Sequence, residues 1–204
     1  MEKNTQSPFE PKLQAPGAGL PLFQTVFLKL VVGPVLSKIK TPAQNKIEYE
    51  LLVRKLIGRI SQVSEENRKA RILVDPLPGL EDSSRFWSLN GVLEHLLIVS
   101  KSMEIIILSL SAGKVPPEKA DIAKVKPSHM DQDSLTEFSS FAPDLIMRID
   151  EKLKAPGMNF DQKLKYHHPW FGPITAKQWY WLLSAHQGIH YRQAKAIIEK
   201  LPLN

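Results

Sequence analysis

The 204-residue sequence predicts an all-α protein, a four-helix bundle with an N-terminal helical appendage. Long stretches of the chain repeat apolar residues with the spacing of amphipathic helices. Strand signals are scarce, and residues 71–74 (RILV) form a candidate too weak to count as a strand. The hydrophobic fraction of 43% is typical of a globular domain with its own core. Helices of this length without a sheet are expected to pack on one another.

The sequence before the bundle is predicted to be an extension, residues 1–40, with the bundle domain at 41–204. Residues 1–19 are rich in proline, glycine and polar side chains and predict a disordered lead-in. Residues 20–39 are strongly apolar, but Lys29 and Pro34 leave too short a run to span a bilayer. A helix that is apolar nearly all round needs a partner surface. Docking on the bundle or homodimer formation is favoured over contact with a membrane surface.

The first predicted bundle helix begins at Thr41, a good N-cap, with Pro42 at the first helical position. It is expected to end near Val63. Its inward stripe is predicted to include Ile47, Leu51, Arg54 or Lys55, and Gly58. A loop with several proline and glycine residues should follow at 65–84.

The second and third helices are predicted at residues 88–111 and 134–154. A long proline-containing loop joins them, which suggests a covering or functional loop. Pro143 should bend or split the third helix, because proline removes an internal hydrogen bond. The inward stripe of the second helix reads Val92, His95, Leu96, Val99, Met103, Ile106 and Leu110.

The fourth helix is predicted at residues 175–200, between the capping-box pair Thr175 and Gln178 and the terminating Pro202. Its inward stripe reads Trp179, Leu182, Leu183, His186, His190, Gln193 or Ala194, and Ile197.

Three histidines occupy inward positions of these helices. His186 and His190 are four residues apart and share a helix face, and His95 lies on the second helix. A buried neutral imidazole needs partners for both ring nitrogens, and a divalent metal ion would satisfy all three rings. Three protein ligands with an open fourth position are typical of a catalytic zinc site. The alternative, that other groups satisfy three core histidines, stays open at this point.

Two segments of the chain resemble the DinB/YfiT-like metal-binding four-helix-bundle superfamily. The segment FWSLNGVLEHLLIVSKSM is similar to its second-helix signature, and HPWFGPITAKQWYWLLSAHQGIHYRQ to its last-helix signature. The resemblance covers residues 41–201 and is specific at these two motifs. It implies that His95, His186 and His190 bind one divalent metal ion, with nickel or zinc favoured and iron also acceptable.

The resemblance also implies a function class. Some members of the superfamily are thiol-dependent transferases or isomerases, others resemble metal hydrolases, and many have no assigned activity. A metal-dependent enzyme acting on a small molecule is therefore expected, with a low-molecular-weight thiol as one candidate substrate. The alternatives are a non-catalytic, stress-related metal-binding bundle and a membrane-surface protein attached through residues 20–39.

Two further residues near the predicted site are candidates for catalysis. His168, just before the fourth helix, could act as a general acid or base or as a transient fourth ligand. It could equally order its loop. Arg192 could bind a carboxylate group of the substrate. It could equally pair with Glu94 or Glu199, or extend its charged end into solvent at the surface.

Composition excludes several classes of function. The absence of cysteine excludes disulfides, thiolate metal sites and a cysteine nucleophile, and it is compatible with a reducing compartment. A cytoplasmic location is therefore expected. The formal net charge is +6, but the basic residues are interleaved with acidic ones and no nucleic-acid-binding motif is present. No nucleic-acid partner is predicted.

Overall fold

The protein is described by a computed structural model that covers residues 10–15, 17–20, 40–117 and 121–202. The chain is mostly helical, as predicted. Its helices are α1 (Pro42–Ile60), α2 (Glu65–Lys69), α3 (Leu89–Ser111), α4 (Leu135–Phe141), α5 (Leu145–Lys152) and α6 (Ala176–Lys200). Its strands are β1 (Ile72–Leu73), β2 (Phe86–Trp87), β3 (Lys165–His168) and β4 (Gly172–Thr175). The apolar helix predicted at 20–39 lies outside the described residues, except for the buried Leu20.

Helix α1 begins where its capping residues predict, but it buries a different face. Thr41 and Gln44 form the capping box, with Pro42 in the first turn. The predicted inward residues Ile47 and Leu51 are 65% and 44% exposed, which overturns that assignment. The buried face instead carries Asn45, Tyr49, Val53, Leu56 and Ile60.

Helices α3 and α6 form the centre of the fold. Ser88 caps α3, and its hydroxyl accepts a hydrogen bond from the backbone N–H of Gly91 at 3.0 Å. The side chain of Gln178 accepts from the backbone N–H of Thr175 at 2.9 Å, as the capping-box spacing predicts. Helix α6 packs against both α1 and α3, and the shorter α4 and α5 pack against α3. The predicted inward stripe of α3 is buried throughout.

The third predicted helix is split into α4 and α5. The break falls at residues 142–144, around Pro143, because a proline lacks the N–H that a continuing helix requires. Phe138, Leu145, Ile146 and Ile149 of the two pieces are fully buried.

Two short antiparallel hairpins accompany the helices. Strands β1 and β2 pair Ile72 with Trp87, so the weak strand signal at 71–74 marks a real strand. Strands β3 and β4 pair His168 with Gly172 at the turn, where Gly172 has φ +73°. Strands β3 and β4 were not predicted, because four-residue strands give too short an alternation of apolar and polar residues to stand out.

No helix in the described part of the chain is long and apolar enough to cross a membrane.

Candidate metal centre

The packing of α3 on α6 brings three histidine rings together. His95 comes from α3, and His186 and His190 come from successive turns of α6. The ring centroids lie 5.1 Å apart for His95 and His186, and 4.5 Å apart for each of the other two pairs. One nitrogen from each ring lies within 4.8 Å of the other two, so the group could hold a metal ion.

These rings are held as neutral imidazoles. His95 and His190 are 7% and 4% exposed, and His186 is half-buried. Burial lowers the pKa of His95 to about 4. Burial, followed by the neighbouring imidazoles, holds the pKa of His186 and of His190 well below the ordinary value. A neutral imidazole is the form that binds a metal.

Hydrogen bonds fix the proton position on two of the rings. The Nδ1 atom of His95 lies 2.6 Å from the carbonyl oxygen of Val125, which can only accept. The Nδ1 atom of His190 lies 2.7 Å from Oε1 of Gln193, and the Nε2 of Gln193 in turn donates to the carbonyl oxygen of Ser84. Both Nδ1 atoms therefore carry the proton, and both Nε2 atoms present a lone pair.

The donor set fits a divalent ion. The Nε2 atoms of His95 and His186 lie only 3.1 Å apart. Because the Nε2 of His95 is an acceptor, it can either accept a hydrogen bond from Nε2 of His186 or offer its lone pair to a cation bound between the rings. The second hydrogen-bonding positions of His95 and His190 are already occupied by oxygen acceptors, the usual arrangement around metal-binding histidines.

His168 lies near this centre and its hydrogen bonds favour a donor role. Its Nδ1 atom accepts from the backbone N–H groups of Trp170 and Phe171, at 3.1 and 3.3 Å. The proton therefore resides on Nε2, and burial lowers the pKa of His168 to about 3. A neutral ring held in this tautomer offers an N–H at Nε2. A general base or a fourth metal ligand, two of the roles considered from the sequence, would need a lone pair there.

Arg192 is not brought to the histidines. Its side chain is exposed, and Nη2 donates to the carbonyl oxygen of Pro78 at 3.3 Å. Glu94, one of the two acidic residues considered as its partner, instead accepts hydrogen bonds from the backbone N–H groups of Ser128 and His129.

A buried ion pair lies beside the centre. The carboxylate of Glu81 is 2% exposed, and its Oε2 lies 2.6 Å from Nζ of Lys126, whose side chain is 15% exposed. Lys126 also donates to the hydroxyls of Ser83 and Ser84, at 2.9 and 2.7 Å. It follows Val125 in the chain, so the ion pair holds the segment whose carbonyl orients His95.

The N-terminal segment is attached to the same ion pair. Oε1 of Glu81 accepts the backbone N–H groups of Gly17 and Gly19, at 3.1 and 3.0 Å. Oδ2 of Asp82 accepts the N–H of Gln14 at 2.8 Å. Both glycines have positive φ, which other residues adopt with strain. Sequence reasoning missed this arrangement, since no periodicity links residue 81 to residues 17, 19 or 126.

A cavity of about 570 Å³ opens onto the centre. His95, His186 and His190 all contribute to its lining, as does His168. Most of the remaining lining is apolar, and the volume lies in the range usual for small-molecule sites.

Comparisons with known proteins give no relative for this chain. No protein-family model matches the sequence, and neither the curated proteins nor the solved structures gave a match. The resemblance to the DinB/YfiT-like superfamily therefore stays a prediction from two motifs. What the fold itself supplies is a three-histidine group that could hold a metal ion and that lines a cavity.

Proposed function

We propose that the protein binds one divalent metal ion through His95, His186 and His190 and acts as a metal-dependent enzyme of the transferase or hydrolase type. The observation that carries the proposal is the convergence of three imidazole nitrogens within 4.8 Å of one another in a buried site. The oxygen acceptors on Nδ1 of His95 and His190 support it, because they direct both Nε2 lone pairs to the ligand position.

We also propose that the helices form a DinB-like four-helix bundle. In this arrangement α1, α3 and α6 supply three members, and the α4–α5 pair supplies the fourth. The packing of α6 against α1 and α3, and of α4 and α5 against α3, supports this assignment.

The open cavity favours a catalytic role over a purely structural one. A divalent ion bound here would act as a Lewis acid and lower the pKa of a water or thiol that it binds. An ion bound by the three histidines would lie at the cavity wall, where a small molecule could reach it. The Nε2–H of His168 would donate a hydrogen bond to an oxygen that gains negative charge during the reaction.

Metal content tests the site directly. Protein purified without chelators, or reconstituted with nickel, zinc or iron, should contain close to one metal ion per chain by elemental mass spectrometry. His95→Ala and His186→Ala should each lose the metal, because either change removes one of the three imidazole ligands. His129→Ala, which removes an exposed histidine from a loop, is the matched control and should retain the metal. Wild-type protein that stays metal-free after reconstitution would contradict the proposal.

Gln193 should contribute to metal affinity without touching the metal. Replacing it with methionine removes the acceptor for the Nδ1–H of His190 and the donor to Ser84. The affinity for the metal, measured by competition with a chelating dye, should fall by about 10–100-fold. Gln187→Met is the control on the same helix, because the buried amide of Gln187 has no hydrogen-bond partner among the described residues. Equal losses in both variants would show a general packing effect and refute this role of Gln193.

A further inference from the structure

The wall of the cavity is mostly apolar away from the histidines. On α3 the lining includes His95, Val99, Met103 and Ile106, which recur at helical spacing on one face. From His95 to Ile106 the helix rises about 16 Å, at roughly 1.5 Å per residue. After His95, each of these side chains is apolar, and Ser102 is the polar residue that α3 adds to the lining.

Helix α6 and the second hairpin also line the cavity, with aromatic residues beyond the histidines. The lining contains His190 and His186 of α6, and then Trp179, which lies further toward the start of that helix. Tyr166 of β3 and Trp170 of the β3–β4 turn add aromatic surface. The ring of Trp179 lies 5.9 Å from that of Tyr166, so the two form a continuous aromatic wall.

The lining carries four charged residues, Glu81, Asp121, Lys124 and Lys126, of which Glu81 is buried, Lys126 is half-buried and the other two are exposed. Glu81 and Lys126 neutralise one another. Oδ1 of Asp121 accepts the backbone N–H of Ala123 at 2.9 Å. A strongly charged body beside the Glu81–Lys126 pair would lose hydration without gaining an opposite charge, whereas an apolar body would be favoured by about 25 cal/mol for each Å² removed from water.

From these observations, and resting on the proposed metal site, we propose that the cavity binds an amphiphilic small molecule. Its apolar chain or ring lies along Val99, Met103 and Ile106, and its head group offers an oxygen or sulfur donor at the histidines. The substrate class is thus a medium-length aliphatic or aromatic compound with one carbonyl, carboxylate, hydroxamate-like or thiol terminus. Ile105 is 63% exposed and also lines the cavity, so the mouth of the cavity has an apolar side.

A homologous series of n-alkyl hydroxamates tests the apolar part. Dissociation constants from acetohydroxamate to octanohydroxamate should be measured by calorimetry on the metal-loaded full-length protein. Each added methylene should tighten binding about fourfold until the chain fills the cavity. Affinity that does not change with chain length would overturn the proposal.

A pair of tryptophan variants locates the chain. Ser102 lies on the lining face of α3, about 10 Å along the helix from His95, and is half-buried. Ser102→Trp should weaken octanohydroxamate by about tenfold or more while leaving acetohydroxamate unchanged, because only the longer chain reaches this position. Ser109→Trp is the matched control, since Ser109 is half-buried on the same helix outside the cavity lining. Equal effects of both variants on the long probe would place the chain elsewhere and refute the assignment.

Alkyl amides separate this inference from the metal proposal. With metal bound, a hydroxamate should bind more tightly than the amide of equal chain length, and the difference should vanish in His186→Ala. If the wild type shows chain-length dependence without any preference for hydroxamate, the proposed metal function and the metal-directed head group both fail, and only an apolar cavity remains. If the hydroxamate preference is present without chain-length dependence, the metal site stands and the amphiphilic ligand is refuted.

Discussion

Replacing Lys126 with methionine should lower the free energy of unfolding by about 3–5 kcal/mol, because it leaves a buried carboxylate without its counter-charge. Glu81 is 2% exposed, and Lys126 is its charged partner at 2.6 Å. The substitution also removes the hydrogen bonds that Nζ donates to Ser83 and Ser84. Urea denaturation followed by circular dichroism measures the change.

An exposed ion pair of the same type is the control. Lys101 and Glu137 also lie 2.6 Å apart, but their side chains are 48% and 62% exposed. Lys101→Met should therefore change stability by no more than about 1 kcal/mol. The double variant Glu81→Gln with Lys126→Met should recover part of the loss, since no buried charge then remains. If Lys126→Met lowers the free energy of unfolding no more than Lys101→Met does, the proposed contribution of the buried ion pair to stability is refuted.

The pH dependence of this effect has a defined sign. Burial by itself raises the pKa of Glu81, but hydrogen bonds from Lys126 and Ser83 outweigh it and hold the pKa below its usual value. On lowering the pH, the unfolded state therefore binds the proton first. The stability that ionised Glu81 contributes is fully present above the unfolded-state pKa of about 4.3 and is lost as pH falls through the lower folded-state value. The stability difference between wild type and Glu81→Gln should shrink in that acidic range.

Metal addition should stabilise the wild type strongly and His186→Ala hardly at all. At a free metal concentration one hundred times the dissociation constant, mass action adds about 2.7 kcal/mol to the free energy of unfolding. For a chain of this size that corresponds to a rise in Tm of roughly 5–11 °C. The three ligand nitrogens come together only when α3 packs on α6, so the unfolded chain lacks the assembled site.

Differential scanning calorimetry with nickel or zinc, and then with excess chelator, measures this shift. The chelator should return the wild type to its metal-free Tm. His129→Ala should respond as the wild type does, because that residue is exposed and distant in sequence from the ligands. A similar rise in wild type and His186→Ala would show that the metal acts at other sites and would contradict the three-histidine centre.

The local signals in the sequence predicted the starts of the long helices well. The N-caps of the three long helices are Thr41, Ser88 and Thr175. A serine or threonine is favoured at this position because its hydroxyl can accept a hydrogen bond from a backbone N–H of the first turn. The inward face of α1 was predicted wrongly. Apolar character placed Ile47 and Leu51 in the core, yet tertiary packing buries Asn45, whose amide donates to the carbonyl oxygen of Tyr180 at 2.9 Å.

The ligand candidates were predictable, and most of their surroundings were not. Helical spacing predicted that His186 and His190 share a face and that His95 points inward, and the structure brings the three together. The acceptor for His95 is a backbone carbonyl, that of Val125, so no side-chain type could have indicated it. Glu81 and Lys126 pair across a loop, where no regular period relates sequence distance to spatial distance.

The hydrogen bonds from Gly17 and Gly19 to Glu81 have a practical consequence for anyone who shortens this protein. A cut at residue 40, where the sequence suggests that the extension ends, would strip two donors from a carboxylate that also holds Lys126. Water entering in their place would reach the segment that orients His95. Residues 10–20 therefore belong with the domain in any truncation, fusion or tagging scheme, even though none of those that the structure describes, 10–15 and 17–20, lines the cavity.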